Sequence, residues 1–350
     1  MASNILLASD GPRLRLAATN LEIGMTTWVG AKVDEDGAVA VPARLLSEFI
    51  ASLPQERIEL ALNPRNRTLN VRCARYEANI RGADPDDFPP LPTVSGEPTT
   101  VIEPQVLHTA IGQVVFASAT DDTRPALAGV LCSFEKDVLT LAAADGYRLA
   151  VRRVDLAGVV PQKTDIIVPA RAMQELGRLA ADEEEAIEVC VAPNRGHVLF
   201  HTSNVDLVSR LIDANFPPYG QIIPSRYNTR VLISTADFQK ATKIAALFAR
   251  DAANIVRLQL VPGEEDLQPG RLTVSAAATD VGDNATELDA IVEGNATQIA
   301  FNAKYLLDVL GVLGTGQMAL EVTSPSSPGV LKPVGDDTYV HVIMPMHVAK

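Results

Sequence analysis

The chain has 350 residues, 47% of them hydrophobic and 21% charged, with a net charge of −13. That is the composition of an ordinary globular protein, and it excludes a disordered, collagen-like or disulfide-scaffold chain. No apolar run is long enough for a membrane span, and the opening MASNILLASDG has no basic segment ahead of an apolar one, so neither a span nor a signal peptide is expected. Cys73, Cys132 and Cys190 lie far apart in strand-like runs, an odd and scattered set that suits a reduced, cytoplasmic protein. The N-x-T triplets at Asn66, Asn284 and Asn295 then carry no glycosylation signal.

In chain order, residues 4–8 and 13–18 read as two short strands around a Ser9-Asp10-Gly11-Pro12 turn. VPARLLSEFIASL (41–53) reads as an amphipathic helix over 42–53, with Pro42 tolerated in the first turn. Strands follow at 57–62, 68–73 and 77–81, then a Phe88-Pro89-Pro90 bend. Residues 101–120 read as a strand and a helix (104–119), followed by strands 129–134 and 138–143 and a second helix, 169–180. Strands 186–191, 197–202 and 206–212 lead to Phe216-Pro217-Pro218. Residues 231–250 again read as a strand and a helix (236–250), then strands 255–260 and 271–277, a helix over 302–313, and Met344-Pro345 near the end.

One unit is therefore written three times. Val41–Leu53, Val168–Ala180 and Phe301–Leu313 stand 127 and 133 residues apart. At those offsets Arg44, Arg171 and Lys304 share one position, and Glu48, Glu175 and Asp308 another. The stripe Leu45, Phe49, Leu53 falls on Ala172, Leu176, Ala180 and on Tyr305, Val309, Leu313. The expected fold class is α+β, with two helices layered on antiparallel strands in each full unit. Linkers at 91–98 and 224–229 set the expected domains at 1–97, 98–227 and 228–350. By repeat arithmetic the first unit lacks an opening strand and helix of roughly 25 residues, through a misassigned start, a truncated chain or a reduced first domain, and an absent strand would leave a sheet edge unpaired.

Little in the chain points to catalysis. His197 and His201 have the spacing of a helical metal pair but fall in a strand-like run with no third ligand nearby. The clusters Asp84/Asp86/Asp87, Glu183–Glu185 and Asp336/Asp337 lie in turns or after a helix, where solvated acids are the ordinary reading. Gly311-x-x-Gly314-x-Gly316 follows a helix, the wrong context for a phosphate loop. No cofactor, metal or catalytic residue is expected. Two features stand out. Arg44, Arg171 and Lys304 occupy first helical turns, where the macrodipole disfavours a cation, so they either pair with the acid four residues on or face phosphates. Asp145-Gly-Tyr-Arg-Leu149 is an Asp-Gly turn that presents Tyr147 and Arg148, either as a simple hairpin or as the edge of a peptide groove. The five helices together carry +3, leaving −16 on the remainder, as suits a protein that shows only its helical face to a polyanion.

The repeated VPAR helices together with TRPALAGVL (123–131), ADGYRLAV (144–151), FPPYGQIIP (216–224), FNAKYLLDVL (301–310) and VIMPM (342–346) resemble the bacterial DNA polymerase III beta subunit family, from about residue 4 to 348. The resemblance implies three tandem DNA-clamp-type domains and a head-to-tail homodimeric ring that encircles double-stranded DNA without reading sequence. It implies no catalytic activity. The ring tethers the polymerase III alpha subunit and docks the clamp loader and repair proteins through short linear peptides with a Gln-x-x-Leu-Phe-like pattern. By motif, the peptide pocket would comprise Leu127, Ala144, Gly146, Tyr147, Arg148, Leu149, Pro217, Ile222, Asn302, Tyr305, Pro325, Ser327, Val342, Met344, Pro345 and Met346. Arg44, Arg124, Arg171 and Lys304 would face DNA. Ala144 stands where the family usually has Thr, Gln221 where it has a basic residue, and MPMHVAK where it commonly ends in MPM-Arg-Leu. Two other readings are a clamp-derived scaffold that no longer closes around DNA and a metal-dependent nuclease built on Asp121 or Asp122.

Overall fold

The computed structural model describes residues 3–92, 97–121, 123–263 and 269–347; Asp122 and the last three residues of the MPMHVAK tail lie outside them. Its elements form three series. The first is β1 (Asn4–Asp10), β2 (Arg13–Thr19), β3 (Ile23–Gly30), β4 (Ala38–Pro42), α1 (Ala43–Ala51), β5 (Ile58–Asn63), β6 (Thr68–Cys73) and β7 (Tyr76–Arg81). The second is β8 (Thr100–Ile102), α2 (Pro104–Val114), β9 (Gly129–Glu135), β10 (Val138–Ala144), β11 (Arg148–Asp155), β12 (Thr164–Pro169), α3 (Ala170–Ala181), β13 (Ile187–Val191), β14 (His197–His201) and β15 (Val205–Arg210). The third is β16 (Thr229–Ser234), α4 (Thr235–Ala249), β17 (Ile255–Val261), β18 (Gly270–Ala278), β19 (Gly282–Gly294), β20 (Thr297–Asn302), α5 (Ala303–Val312), β21 (Gln317–Val322), β22 (Gly329–Pro333) and β23 (Tyr339–Ile343). The later two series repeat the first and place a strand and a helix in front of it.

Local chemistry sets the helix starts. Ser234 Oγ accepts from Asp237 N–H at 3.3 Å at the head of α4, and Asn302 Oδ1 accepts from Lys304 N–H at 2.9 Å at the head of α5, each satisfying an orphan donor. The strands alternate as half-buried strands must: Val256, Leu258 and Leu260 of β17 are wholly buried while Arg257 and Gln259 face out.

Contacts divide the chain into two compact units, Met1–Gln105 with Arg178–Leu211 and Val106–Gly177 with Ile212–Lys350. Each joins parts of two series. In the first unit, an eight-stranded antiparallel sheet runs β4-β1-β2-β3-β15-β14-β13-β8, and a separate three-stranded sheet runs β5-β6-β7. In the second, one sheet of twelve strands runs β12-β9-β10-β11-β23-β22-β21-β16-β19-β18-β17-β20. The same hand-over occurs in both. Counting each frame from β1, β9 and β17, the last strand of a series pairs with the third frame strand of the series before it: β15 on β3 (Leu207 opposite Met25) and β23 on β11 (Val342 opposite Leu149). At the start of β16, Gly294 has φ +93°, and a Cβ there would lie 1.9 Å from Asn228 O, so only glycine lets β19 close on that strand.

The helix expected over 104–119 stops at Val114 and gives way to a 3₁₀ turn, Val115–Ala117. Its carbonyls are taken by distant donors: Tyr339 Oη donates to Gln113 O at 3.0 Å and Arg148 Nη2 to Phe116 O at 2.6 Å. These bonds replace the next α-helical turn, which periodicity alone could not reveal.

His197 and His201 sit on β14, where four residues span roughly 13 Å, so the two rings do not converge; His201 pairs with Asp206 at 2.5 Å. Asp84 caps the turn at 85–87 and pairs with Arg67. Cys73, Cys132 and Cys190 are buried thiols, and burial pushes Cys132 up to about 12, so it stays protonated. Among the described residues no helix is long and apolar enough to cross a membrane.

One polar side chain is buried against the trend. His341 on β23 is fully buried, stacks on Phe116 with ring centroids 5.5 Å apart, and has no hydrogen-bond partner on either ring nitrogen. Burial, and then the Arg148 charge, lowers its pKa to about 3 from 6.5. The folded chain therefore holds a neutral ring, while the unfolded chain takes up a proton below pH 6.5. Stability from this group is complete above that pH and falls as the pH drops toward 3. Denaturant unfolding should lose roughly 2 kcal/mol between pH 7 and 5 on account of this residue, a component missing from the pH dependence of His341→Leu.

Candidate functional site

The sixteen residues of the expected pocket all fall in the second unit. At their centre is the β10–β11 hairpin. Ala144 pairs with Leu149, and Gly146 turns the chain between them at φ +92°. The Asp145 carboxylate accepts from the backbone N–H of Tyr147 (2.9 Å) and Arg148 (3.0 Å), so the turn is an Asx-type loop set by its own sequence. Arg124 Nη2 donates to Asp145 O at 2.9 Å, and a Cβ on Gly146 would lie 2.6 Å from Arg124 Nη1. Arg124, expected to face DNA, thus braces this turn.

Arg148 is the node. Its side chain is 7% exposed and fully used: Nε donates to Asp145 Oδ2 at 3.0 Å, Nη1 to Asp308 Oδ2 at 2.6 Å and Nη2 to Phe116 O at 2.6 Å. The guanidinium also lies 4.5 Å from the Tyr305 ring centroid and 5.3 Å from that of Phe116. A planar cation with five fixed donors can be satisfied this way where a lysine could not. Tyr147, 60% exposed, stacks on Tyr305 with centroids 6.5 Å apart. Partial burial, and then the nearby Asp145 carboxylate, holds the Tyr305 phenol above its ordinary pKa, so it stays a neutral donor.

The tail is fastened to the same place. Met344 N–H donates to Tyr147 O and Met346 N–H to Ala300 O, both at 2.8 Å, which sets Met344-Pro345-Met346 between the hairpin and the head of α5. Below them lies an apolar floor. Leu127, Ala144, Leu149 and Val342 are buried in one cluster, with Phe216, Tyr219 and Ile223 packed against it. To one side opens a cleft of about 510 Å³ lined by Gln221, Ile222, Pro224, Arg226, Thr323, Ser327, Pro328 and Met344, among others. Ser327 closes its loop through a 2.7 Å contact with Ser324 Oγ, while Pro217 and Pro325 are exposed. Tyr147, Ile222 and Met344 are large apolar side chains left open to solvent, the residue types of a groove that takes an apolar peptide side chain.

Sequence reasoning missed Asp308 as part of this site, having read it only as the repeated helical acid. Its burial against Arg148 is a contact across 160 residues. Arg226, Thr323 and Pro328 were also missed; the proline-rich linker at 224–229 was the only signal near them. Of the helical cations, Arg44 pairs with Glu48 at 2.7 Å, and Arg44, Arg171 and Lys304 are all exposed. Lys304 does not keep Asp308, which Arg148 holds.

Three family models match the chain in order: the DNA polymerase III beta subunit N-terminal domain at 1–92, central domain at 101–218 and C-terminal domain at 220–347. A beta sliding clamp of Staphylococcus aureus (strain Mu50) is 33% identical over 315 residues, covering 90% of this chain and 81% of that protein. One from Synechococcus elongatus is 32% identical over 350 residues, covering 99% and 92%. The crystal structure of a DNA polymerase sliding clamp from Bacillus subtilis superposes with a TM-score of 0.91 at 26% identity, over 99% of this chain and 92% of that one. That of the DNA polymerase III subunit beta from Pseudomonas aeruginosa gives 0.88 at 28%, over 99% and 93%. With three matched domains, a threefold element series and a shared backbone, this chain belongs to the DNA polymerase III beta subunit family, the beta sliding clamps.

Proposed function

We propose that this chain is a non-catalytic processivity clamp: two copies close head to tail into a ring around duplex DNA and hold the replicative polymerase to its template in the cytoplasm. Within each copy the domains are taken as 1–97, 98–227 and 228–350. The observation that carries the reading is a pair of open strand edges. In both units the last strand of one series pairs with the third frame strand of the preceding series. By that rule β7, last of the first series, and β19, the third frame strand of the third series, want each other. Among the described residues β7 lies at a sheet edge, and 282–290 of β19 pairs only with β18. One chain cannot be its own predecessor, so a second copy supplies the partner, and two such heterologous joints close a ring. Charge agrees. Residues 72–81 carry Arg72, Arg75 and Arg81 against Glu77, while 282–294 carry Asp283, Glu287, Asp289 and Glu293 and no cation.

A topological tether needs only a local positive field, which reconciles a net charge of −13 with DNA as partner. The exposed cations Arg44, Arg171 and Lys304 support a phosphate-facing role. The groove around Tyr147, Ile222, Tyr305, Met344 and Met346 supports the docking of short peptides from the polymerase III alpha subunit, the loader and repair proteins. An apolar floor with exposed methionine and tyrosine at its rim is how such segments are held.

Retention on DNA is the direct test. The protein should stay on nicked circular duplex through gel filtration and run off the same DNA once it is linearised; equal loss from both would overturn the encircling role. In sedimentation, Asp283→Lys with Asp289→Lys should yield monomer, and adding Arg75→Glu with Arg81→Glu should restore the dimer. For the groove, Met346→Ala and Tyr305→Ala should each weaken a Gln-x-x-Leu-Phe peptide by roughly 1–3 kcal/mol in calorimetry.

A further inference from the structure

Beside the candidate groove, the same unit holds a recess of different chemistry. The cleft of about 510 Å³ shares Ile222 and Met344 with the groove rim and runs on between the 224–226 segment and the 323–328 loop. Bonds between the two walls fix it. Thr323 Oγ1 donates to Arg226 O at 2.7 Å, Asn228 Nδ2 donates to Thr323 O at 2.7 Å, and Asn228 N–H donates to Val322 O at 3.0 Å. The Ser324 and Ser327 hydroxyls close the loop on the far side at 2.7 Å. A cleft braced in this way is formed before any ligand arrives, so binding there carries little cost in ordering the backbone.

Its charge is one-sided. The lining includes one cation, Arg226, and no carboxylate. The Arg226 side chain is exposed and takes part in no ion pair among the described residues. On β16 and β21, the strands that carry these walls, the acid is already taken: Glu321 accepts from Lys332 Nζ at 2.9 Å and lies 3.6 Å from Arg230 Nε. An unpaired guanidinium in a recess walled by Ile222, Pro328 and Met344 suits a carboxylate, which it can meet with two parallel donors. The apolar floor of the groove takes Phe216, Tyr219 and Ile223 from the segment that continues as 224–226. A peptide whose last apolar residues rest on that floor therefore carries its following residues toward Arg226.

We propose that Arg226 is a specificity-determining residue for the docked peptide: it selects segments that carry an aspartate or glutamate just after the Leu-Phe end of the motif, whose carboxylate the guanidinium meets in the cleft. This role rests on a peptide lying in the groove and adds a charge rule to it. The apolar motif supplies the anchor, and the acidic flank decides between partners that share the anchor. A neutral flank leaves Arg226 in water at no cost, whereas a basic flank brings like charge against it.

The probes are three fluorescein-labelled, C-terminally amidated peptides that share one Gln-x-x-Leu-Phe core and end in Asp-Asp, Ser-Ser or Lys-Lys, titrated into the full-length protein by fluorescence anisotropy. The acidic peptide should bind about fivefold tighter than the serine peptide at about 0.05 M salt, and the gap should narrow at about 0.5 M. Arg226→Gln should erase that gap while leaving the serine peptide within about twofold of its parent affinity. Arg226→Glu should invert the order, so that the lysine peptide binds best. Arg257→Gln, which removes an exposed cation on β17, should keep the parent order and so exclude an effect of net charge alone. Equal binding of the acidic and serine peptides, or a preference unmoved by Arg226→Gln, would overturn the charge rule and leave the groove standing. Failure of all three peptides to bind would remove the groove and the rule with it.

Discussion

Backbone pairing between one repeat series and the next is the constraint on which the rest of the structure depends. A series of this kind ends in a strand whose outer edge has unmet donors and acceptors, and its third strand has another. Pairing β15 with β3 and β23 with β11 satisfies both kinds of edge through one operation used twice. That operation explains why each compact unit holds parts of two series: the backbone ladder, not the repeat boundary, decides what packs together. It also explains why the molecule is directional, with an acidic third strand left over at one place and an arginine-bearing last strand at another.

The candidate groove is a by-product of the same joint. Because β23 lies on β11, the residues after it emerge beside the Asp145–Arg148 turn, and Met344 can bond Tyr147. Arg148 makes that junction rigid. Its guanidinium is nearly removed from water, which would be costly for an unpaired charge, and two carboxylates, a carbonyl and two ring faces compensate it. Removing Asp308 would leave that charge partly uncompensated, so a residue on α5 supports a hairpin 160 positions away. The exposed methionine and tyrosine of the rim then sit on a braced base.

Burial across the three copies separates what a repeat position means from what its neighbours make of it. The helical stripe is apolar in all three copies, yet Leu176 and Val309 are sealed while Phe49, at the same repeat position, is only partly buried. In the second and third series a strand and helix ahead of the frame, β8–α2 and β16–α4, cover it. Intrinsic pattern builds the face, and a further layer decides whether the face is core or surface.

Much of this was legible in the chain alone. The threefold repeat, the α+β class and the helix positions follow from spacing and motif, because helical and strand periods and turn chemistry are local properties, while the grouping of Tyr147, Tyr305 and Met344 in one site came from the family resemblance. What tertiary structure decided lies in contacts between distant residues. The premature end of α2 at Val114, the capture of Asp308 by Arg148 rather than Lys304, the bracing of the turn by Arg124 and the partnerless burial of His341 each depend on a group more than twenty positions away. A sequence period records which face a side chain takes, but not which atom across the fold competes for its hydrogen bond.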